Sequence, residues 1–130
     1  MNLVIRKQVP IRPLPGRGIQ LVAGKENAAS PSNAITMGFA HYSVEYGPMS
    51  PHRHAEETVF VLDSDRSYVR YGGFGEQPDA LGERLPLERD MILHFPENEW
   101  HVFEYEEGGH LTIAFFYPSP GVYTGQIGKS

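Results

Sequence analysis

A chain of 130 residues with 40% apolar residues, seven Phe, seven Tyr and one Trp has the material for one folded domain, and it is unlike a disordered chain, which lacks aromatic and β-branched residues. Eleven basic against 16 acidic residues leave a net charge of -5, which argues against phosphate backbones as partners, and no stretch approaches the ~20 apolar residues of a membrane span. With no cysteine there is no disulfide framework, thiolate site or Cys nucleophile, so any metal must be held by nitrogen and oxygen.

The start, Met1 to Lys7, lacks the apolar region of a signal peptide, and an intracellular, cytoplasmic protein is expected. Fourteen Gly and eleven Pro divide the chain into short runs, none with a sustained helical spacing of apolar residues. The predicted class is all-β, in a single domain over 1–130. Val9 to Gly16 is Pro-rich, and because each Pro removes a ladder donor it is predicted to be an edge or part of an arm over 1–18. Strands are predicted at Ile19 to Ala23, Thr36 to Tyr46, Thr58 to Asp63, Ser67 to Tyr71, Met91 to Phe95, Trp100 to Tyr105 and Leu111 to Tyr117, with the barrel core at about 36–117. Gly24 to Ile35 and Gly72 to Arg89 are predicted loops, and 118–130 a C-terminal extension. Short strands at close spacing suggest a sandwich or a small antiparallel barrel.

The six histidines are unevenly placed. His52 and His54 are one residue apart, and on an extended chain alternate side chains share a face, so both imidazoles can address one point while Arg53 faces away. A carboxylate follows at Glu56 or Glu57, just before an apolar strand. Downstream, Pro96 to His101 makes a Pro/Asn turn and a new strand that opens with a third imidazole. By alternation Phe103 and Tyr105 share the face of His101 and are candidates for cavity lining. His41 shares a face with Phe39, Ser43 and Glu45, and periodicity does not say whether that face is inner or outer. His94 is expected on the outer face or satisfied by a neighbour, and His110, after Gly108-Gly109 in a predicted turn, is expected to face solvent. Arg70 and the run Glu104 to Glu107 are expected to be solvated.

Over Gly47 to Tyr105 these residues resemble the cupins, whose motifs read G-x5-HxH-x3-4-E-x6-G and G-x5-PxG-x2-H-x3-N. His52 and His54 match the HxH, Glu57 precedes Phe60-Val61-Leu62 where the family has a similar run, and Pro96-x-Asn98-x-x-His101 mirrors the second motif. Two residues, not three or four, separate His54 from Glu57, Asp90 stands at the leading Gly, and Asn98 stands at the turn Gly, where a left-handed backbone is tolerated by Asn. The resemblance implies a cupin-type double-stranded β-helix, jelly-roll-like, holding one divalent metal (Fe, Mn, Ni, Zn or Cu) through His52, His54, His101 and Glu57. A site completed by Glu56, or one of three His alone, is the alternative.

The resemblance further implies a metal-dependent enzyme for a small oxygen-rich substrate, of dioxygenase or other oxidoreductase type, with Glu57 in a catalytic role. Two other readings stand beside it. One is an isomerase or lyase for a sugar or keto acid that uses the metal as a Lewis acid; the other is a non-catalytic ligand-binding cupin. A homodimer, formed by exchanging N-terminal arms or by pairing sheet edges, is also expected.

Overall fold

A computed structural model describes residues 1–120; positions 121–130, most of the expected C-terminal extension, lie outside the described residues. In chain order the elements are a 3-10 turn at Arg6–Gln8, β1 (Arg12–Leu14), β2 (Arg17–Gly24), β3 (Ser30–Pro31), β4 (Thr36–Tyr42), a second 3-10 turn at Val44–Tyr46, β5 (Glu57–Tyr71), β6 (Leu85–Pro86), β7 (Ile92–Phe95) and β8 (His101–Tyr117). Among the described residues there is no α-helix, and no helix long and apolar enough to cross a membrane. The all-β class read from the Gly/Pro punctuation is the class of the structure.

The two long strands β5 and β8 organise the barrel. They pair antiparallel from Thr58↔Phe116 to Tyr71↔His101, with irregularities at Val61/Asp63 and Asp65/Ser67. At the second of these, Arg66 alone stands opposite Glu106, Glu107, Gly108 and Gly109, so the ladder bends sharply. Arg66 and Gly108 take left-handed φ of 49° and 80°, and a Cβ on Gly109 would sit 2.6 Å from the Asp65 carbonyl oxygen. The bend divides the pairing into two sheets. In one, β1, β2, β4, the end of β8, the start of β5 and β7 lie side by side; in the other, β6, the end of β5, the start of β8 and a bridge at His52 do so.

Alternation decides what faces inward. Along β4, Thr36, Gly38, Ala40 and Tyr42 are buried while Met37, Phe39 and His41 are partly exposed. Ile19 and Leu21 of β2, Val59 and Val61 of β5, and Ile113 and Phe115 of β8 continue the inner surface of the larger sheet and meet Val69 and Phe103 of the smaller one in a single core. Each such side chain contributes about 1.5–3 kcal/mol by leaving water.

Three expectations change in the structure. Thr58 to Asp63 and Ser67 to Tyr71 are one strand, as are Trp100 to Tyr105 and Leu111 to Tyr117, because the Gly108-Gly109 pair makes a bulge inside β8 and not a hairpin turn. His110, placed by that bulge opposite β5, pairs with Asp63 at 2.8 Å and is half-exposed. The strand expected over Thr36 to Tyr46 stops at Tyr42, where the chain turns and Tyr46 N–H donates to the Ser43 carbonyl at 3.0 Å. The Pro-rich segment, read as an edge or part of an arm, contains the edge strand β1, and the residues before it pack on the barrel: Val9 is buried, and Gln20 Nε2 donates to the carbonyls of Arg6 and Val9 at 2.9 Å.

Candidate metal centre

His52 and His101 exchange both backbone hydrogen bonds, at 3.0 and 2.9 Å, so they form a directly opposed antiparallel pair whose side chains emerge on the same side. Their rings lie 4.4 Å apart. His54, two residues on and therefore on the same side as His52, is held in place by Asn98 N–H donating to its carbonyl at 2.9 Å, and its ring lies 5.2 Å from His52 and 5.1 Å from His101. One nitrogen from each of the three imidazoles lies within 4.8 Å of the others.

Each ring is oriented from behind. Nδ1 of His52 lies 3.3 Å from the Ser50 carbonyl, Nδ1 of His54 2.9 Å from that of Ala55, and Nδ1 of His101 3.0 Å from that of Glu99. A carbonyl only accepts, so a proton sits on each Nδ1 and each Nε2 is the atom turned inward. Burial, followed by the neighbouring imidazoles, holds the His52 pKa well below the usual value, and burial lowers that of His54 against the opposing pull of Glu57. Neutral imidazoles are the form a metal requires.

Glu57 opens β5, and its pairing with Phe95 of β7 turns its side chain inward to 3% exposure. Its Oε1 stands 3.6 Å from His54 Nε2 and 3.4 Å from His101 Nε2. Glu57 Oε1 and His101 Nε2 are both fully buried with no hydrogen-bond partner, an arrangement that costs about 1–3 kcal/mol per group unless something supplies positive charge. The three inward Nε2 atoms, of which that of His54 accepts from the Tyr117 hydroxyl in this structure, and the Glu57 oxygen form a nitrogen-and-oxygen donor set that fits a borderline divalent cation. The alternative carboxylate, Glu56, points outward and pairs with His94 at 2.5 Å, both more than half exposed.

The remaining site candidates separate. Phe103, 2% exposed, lies inside with its ring 6.3 Å from His101. Tyr105 packs against the core, and its hydroxyl, with one proton to donate, lies 2.7 and 2.8 Å from the carbonyls of Ser43 and Gly47, which ties down the loop before His52. His41 lies on the outer face of β4, between Gln20 Oε1 at 2.7 Å and Thr112 Oγ1 at 3.2 Å, and does not line the interior. Arg53 points away from the cluster, lies 4.8 Å from the Trp100 ring and donates to the carbonyls of Phe74 and Gly75. Arg70 is at the surface, donating to the Gly82 carbonyl. Asn98 and Asp90, standing where the cupin motif has Gly, adopt φ of 67° and 75°.

Three residues of the centre were missed by sequence reasoning. The Tyr117 hydroxyl donates to His54 Nε2 at 3.1 Å, the Phe95 ring stacks on His101 at 4.1 Å and 16°, and Arg17 is a buried cation on the inner face of β2. None lies within the two motifs except Phe95, which precedes the Pro96 turn.

Together the bent antiparallel barrel and its inward-facing three-histidine cluster define a cupin-type fold with a candidate metal centre. No protein-family model matches this chain, and no curated protein matches its sequence. Solved structures do match. A protein from Planctomyces limnophilus has a TM-score of 0.67 at 14% identity over 92% of this chain and 90% of its own. The polyketide cyclase RemF from Streptomyces resistomycificus has 0.66 at 16%, over 91% and 79%. The Fe(II) form of HppE has 0.64 at 12%, over 90% of this chain but only 60% of its own length. The chain therefore has the cupin fold.

Proposed function

We propose that this chain is a metal-dependent enzyme whose centre is His52, His54, His101 and Glu57. The observation that carries the reading is the set of inward Nε2 atoms, each tied by its Nδ1 to a backbone carbonyl, beside the unpartnered Glu57 oxygen. A divalent ion there supplies Lewis acidity and, for Fe, Mn, Ni or Cu, redox chemistry. The protein's own contribution is orientation, dryness and proton handling. The carbonyl hydrogen bonds and the Phe95 stack hold the rings at a fixed angle, and Phe95, Phe103 and Phe115 wall the interior against water. Among the described residues, the Glu57 carboxylate, beyond its place in the centre, and the Tyr117 hydroxyl, which reaches His54 Nε2, are the groups able to accept and donate a proton there.

The leading reading is an oxidoreductase of dioxygenase type acting on a small oxygen-rich molecule, supported by the N/O donor set in an aromatic, dry setting; the matched HppE structure is an Fe(II) form. The Tyr117 hydroxyl beside the cluster favours a second reading, Lewis-acid isomerisation or lyase chemistry of a sugar or keto acid, since it offers a proton without any redox change.

Elemental analysis of protein purified without added metal tests the common premise: about one ion per chain is expected, and it disappears in His52→Ala and His101→Ala. A metal content near zero that neither substitution alters sinks both readings in favour of a non-catalytic cupin. Oxygen consumption across enediols, β-diketones, flavonols and thiol acids supports the redox reading. Turnover of a sugar or keto acid with Zn under anaerobic conditions replaces it with the second.

A further inference from the structure

His52 and His54 come from the connection between the 3-10 turn at Val44–Tyr46 and β5, a segment tied to the smaller sheet by the bridge of His52 to His101. A connection with so little ladder pairing places its side chains only as well as the contacts on its other side allow. Arg53 follows His52 and Trp100 precedes His101, so alternation sends both to the outer side, opposite each other across the same antiparallel bridge. Arg53 Cζ lies 4.8 Å from the centre of the Trp100 ring, a cation–π contact, and Trp100 is buried.

Both side chains grip the same stretch of loop. Arg53 Nη1 donates to the Phe74 carbonyl at 3.0 Å and to the Gly75 carbonyl at 2.7 Å, and Trp100 Nε1 donates to the Gly75 carbonyl at 2.8 Å, so one oxygen accepts from both. The backbone of Trp100 is fixed to that loop as well: Gly72 N–H donates to its carbonyl, and its own N–H donates to the Gly73 carbonyl, each at 3.0 Å. Gly72 and Gly73 take φ of 141° and 91°, and a Cβ on Gly72 would meet the Ala80 carbonyl oxygen at 2.5 Å, so the loop is itself closely packed. Glu99, whose carbonyl orients the His101 ring, immediately precedes Trp100. A tilt of Trp100 therefore moves the third ring, and release of Arg53 frees the two rings on either side of it.

We propose that Arg53 and Trp100 are positioning residues of the metal centre: clasped to each other and to residues 73–75, they hold His52 and His54 against His101 and so set metal affinity and coordination geometry. Each acts through the imidazoles beside it in the chain. The inference deepens the metal-centre reading and rests on it for the ion, though not for the placing of the rings.

The test compares the full-length wild type with Arg53→Ala, Arg53→Lys and Trp100→Phe, by amide hydrogen exchange after chelator treatment and by Co2+ titration followed through its visible absorption. In Arg53→Ala and Trp100→Phe the His52 and His101 amides, which bond each other's carbonyls, are expected to exchange at least tenfold faster, while those of β2 and β4 keep wild-type rates. The Co2+ Kd is expected to rise at least tenfold in both, with shifted absorption bands at saturation. Arg53→Lys, which keeps a cation for the ring but loses the paired donors, is expected to fall between. Unchanged Co2+ affinity and bands in both variants overturn the proposal, as does unaltered exchange at His52 and His101. Equal acceleration in β2 and β4 also overturns it, since that marks general destabilisation. If circular dichroism shows Trp100→Phe to be unfolded, the two Arg53 variants decide by the same outcomes. Wild-type protein that takes up no Co2+ overturns the metal-centre reading instead, and exchange at His52 and His101 then judges the clasp by itself.

Discussion

Replacing Glu57 by Gln should have opposite effects on the metal-free and the metal-loaded protein. In the metal-free chain Oε1 lies 3.6 Å from His54 Nε2 and 3.4 Å from His101 Nε2 and is buried without a hydrogen-bond partner. A glutamine amide brings two N–H donors to the same place and removes a buried charge. Relieving one unsatisfied buried group is worth about 1–3 kcal/mol. At roughly 4 °C per kcal/mol for a domain of this size, chelator-treated Glu57→Gln should melt several degrees above chelator-treated wild type. With metal at a hundred times its Kd, wild type gains about 2.7 kcal/mol, or roughly 10 °C. If loss of the carboxylate weakens binding about a hundredfold, the same concentration lies near the variant's Kd and adds only about 0.4 kcal/mol. Thermal unfolding with chelator and with titrated metal reads both effects. A variant that is less stable in chelator and keeps the full metal-induced shift would refute the reasoning, since Glu57 would then be an ordinary structural carboxylate.

Other outcomes follow from the same geometry. His41→Ala should leave metal content unchanged, because its ring bonds Gln20 and Thr112 on the outer face; elemental analysis of the variant checks this. Phe95→Ala should cost about 3–5 kcal/mol in urea unfolding, as the ring is 4% exposed and stacked on His101, and it should also weaken metal binding by freeing that imidazole. Asp63 has its pKa lowered from 3.8, chiefly by the hydrogen bond from His110. Its contribution is therefore present above that pH and lost as pH falls through the lowered value. The pair is about half exposed, so Asp63→Asn should cost at most about 1 kcal/mol near pH 6, and the gap from wild type should close as pH falls below the lowered value in denaturant titrations.

Local spacing was enough to assemble most of the centre. His52 and His54 share a side because they are two apart on an extended chain, and the turn before His101 delivers the third ring, held by reciprocal backbone bonds to His52. Alternation also requires Glu56 and Glu57 to face opposite ways. Which of them faces inward depends on the pairing of Glu57 with Phe95, a contact across 38 positions that no local pattern records. The same limit applies to His41. Period two separates the faces of β4, but only its pairing with β2 and β8 decides that Ala40 and Tyr42 look inward and His41 outward.

Composition and spacing determined the all-β class, the nitrogen-and-oxygen character of any metal site and its three histidines, because each follows from residue type and from geometry that extends only a few residues. The two continuous bent strands, the bulge at Gly108 and Gly109, the docking of the Pro-rich segment on its own barrel, and the arrival of Tyr117 and Arg17 at the interior were decided by tertiary structure alone. These depend on register between strands distant in sequence, and a one-residue shift in such a register turns every inward side chain out.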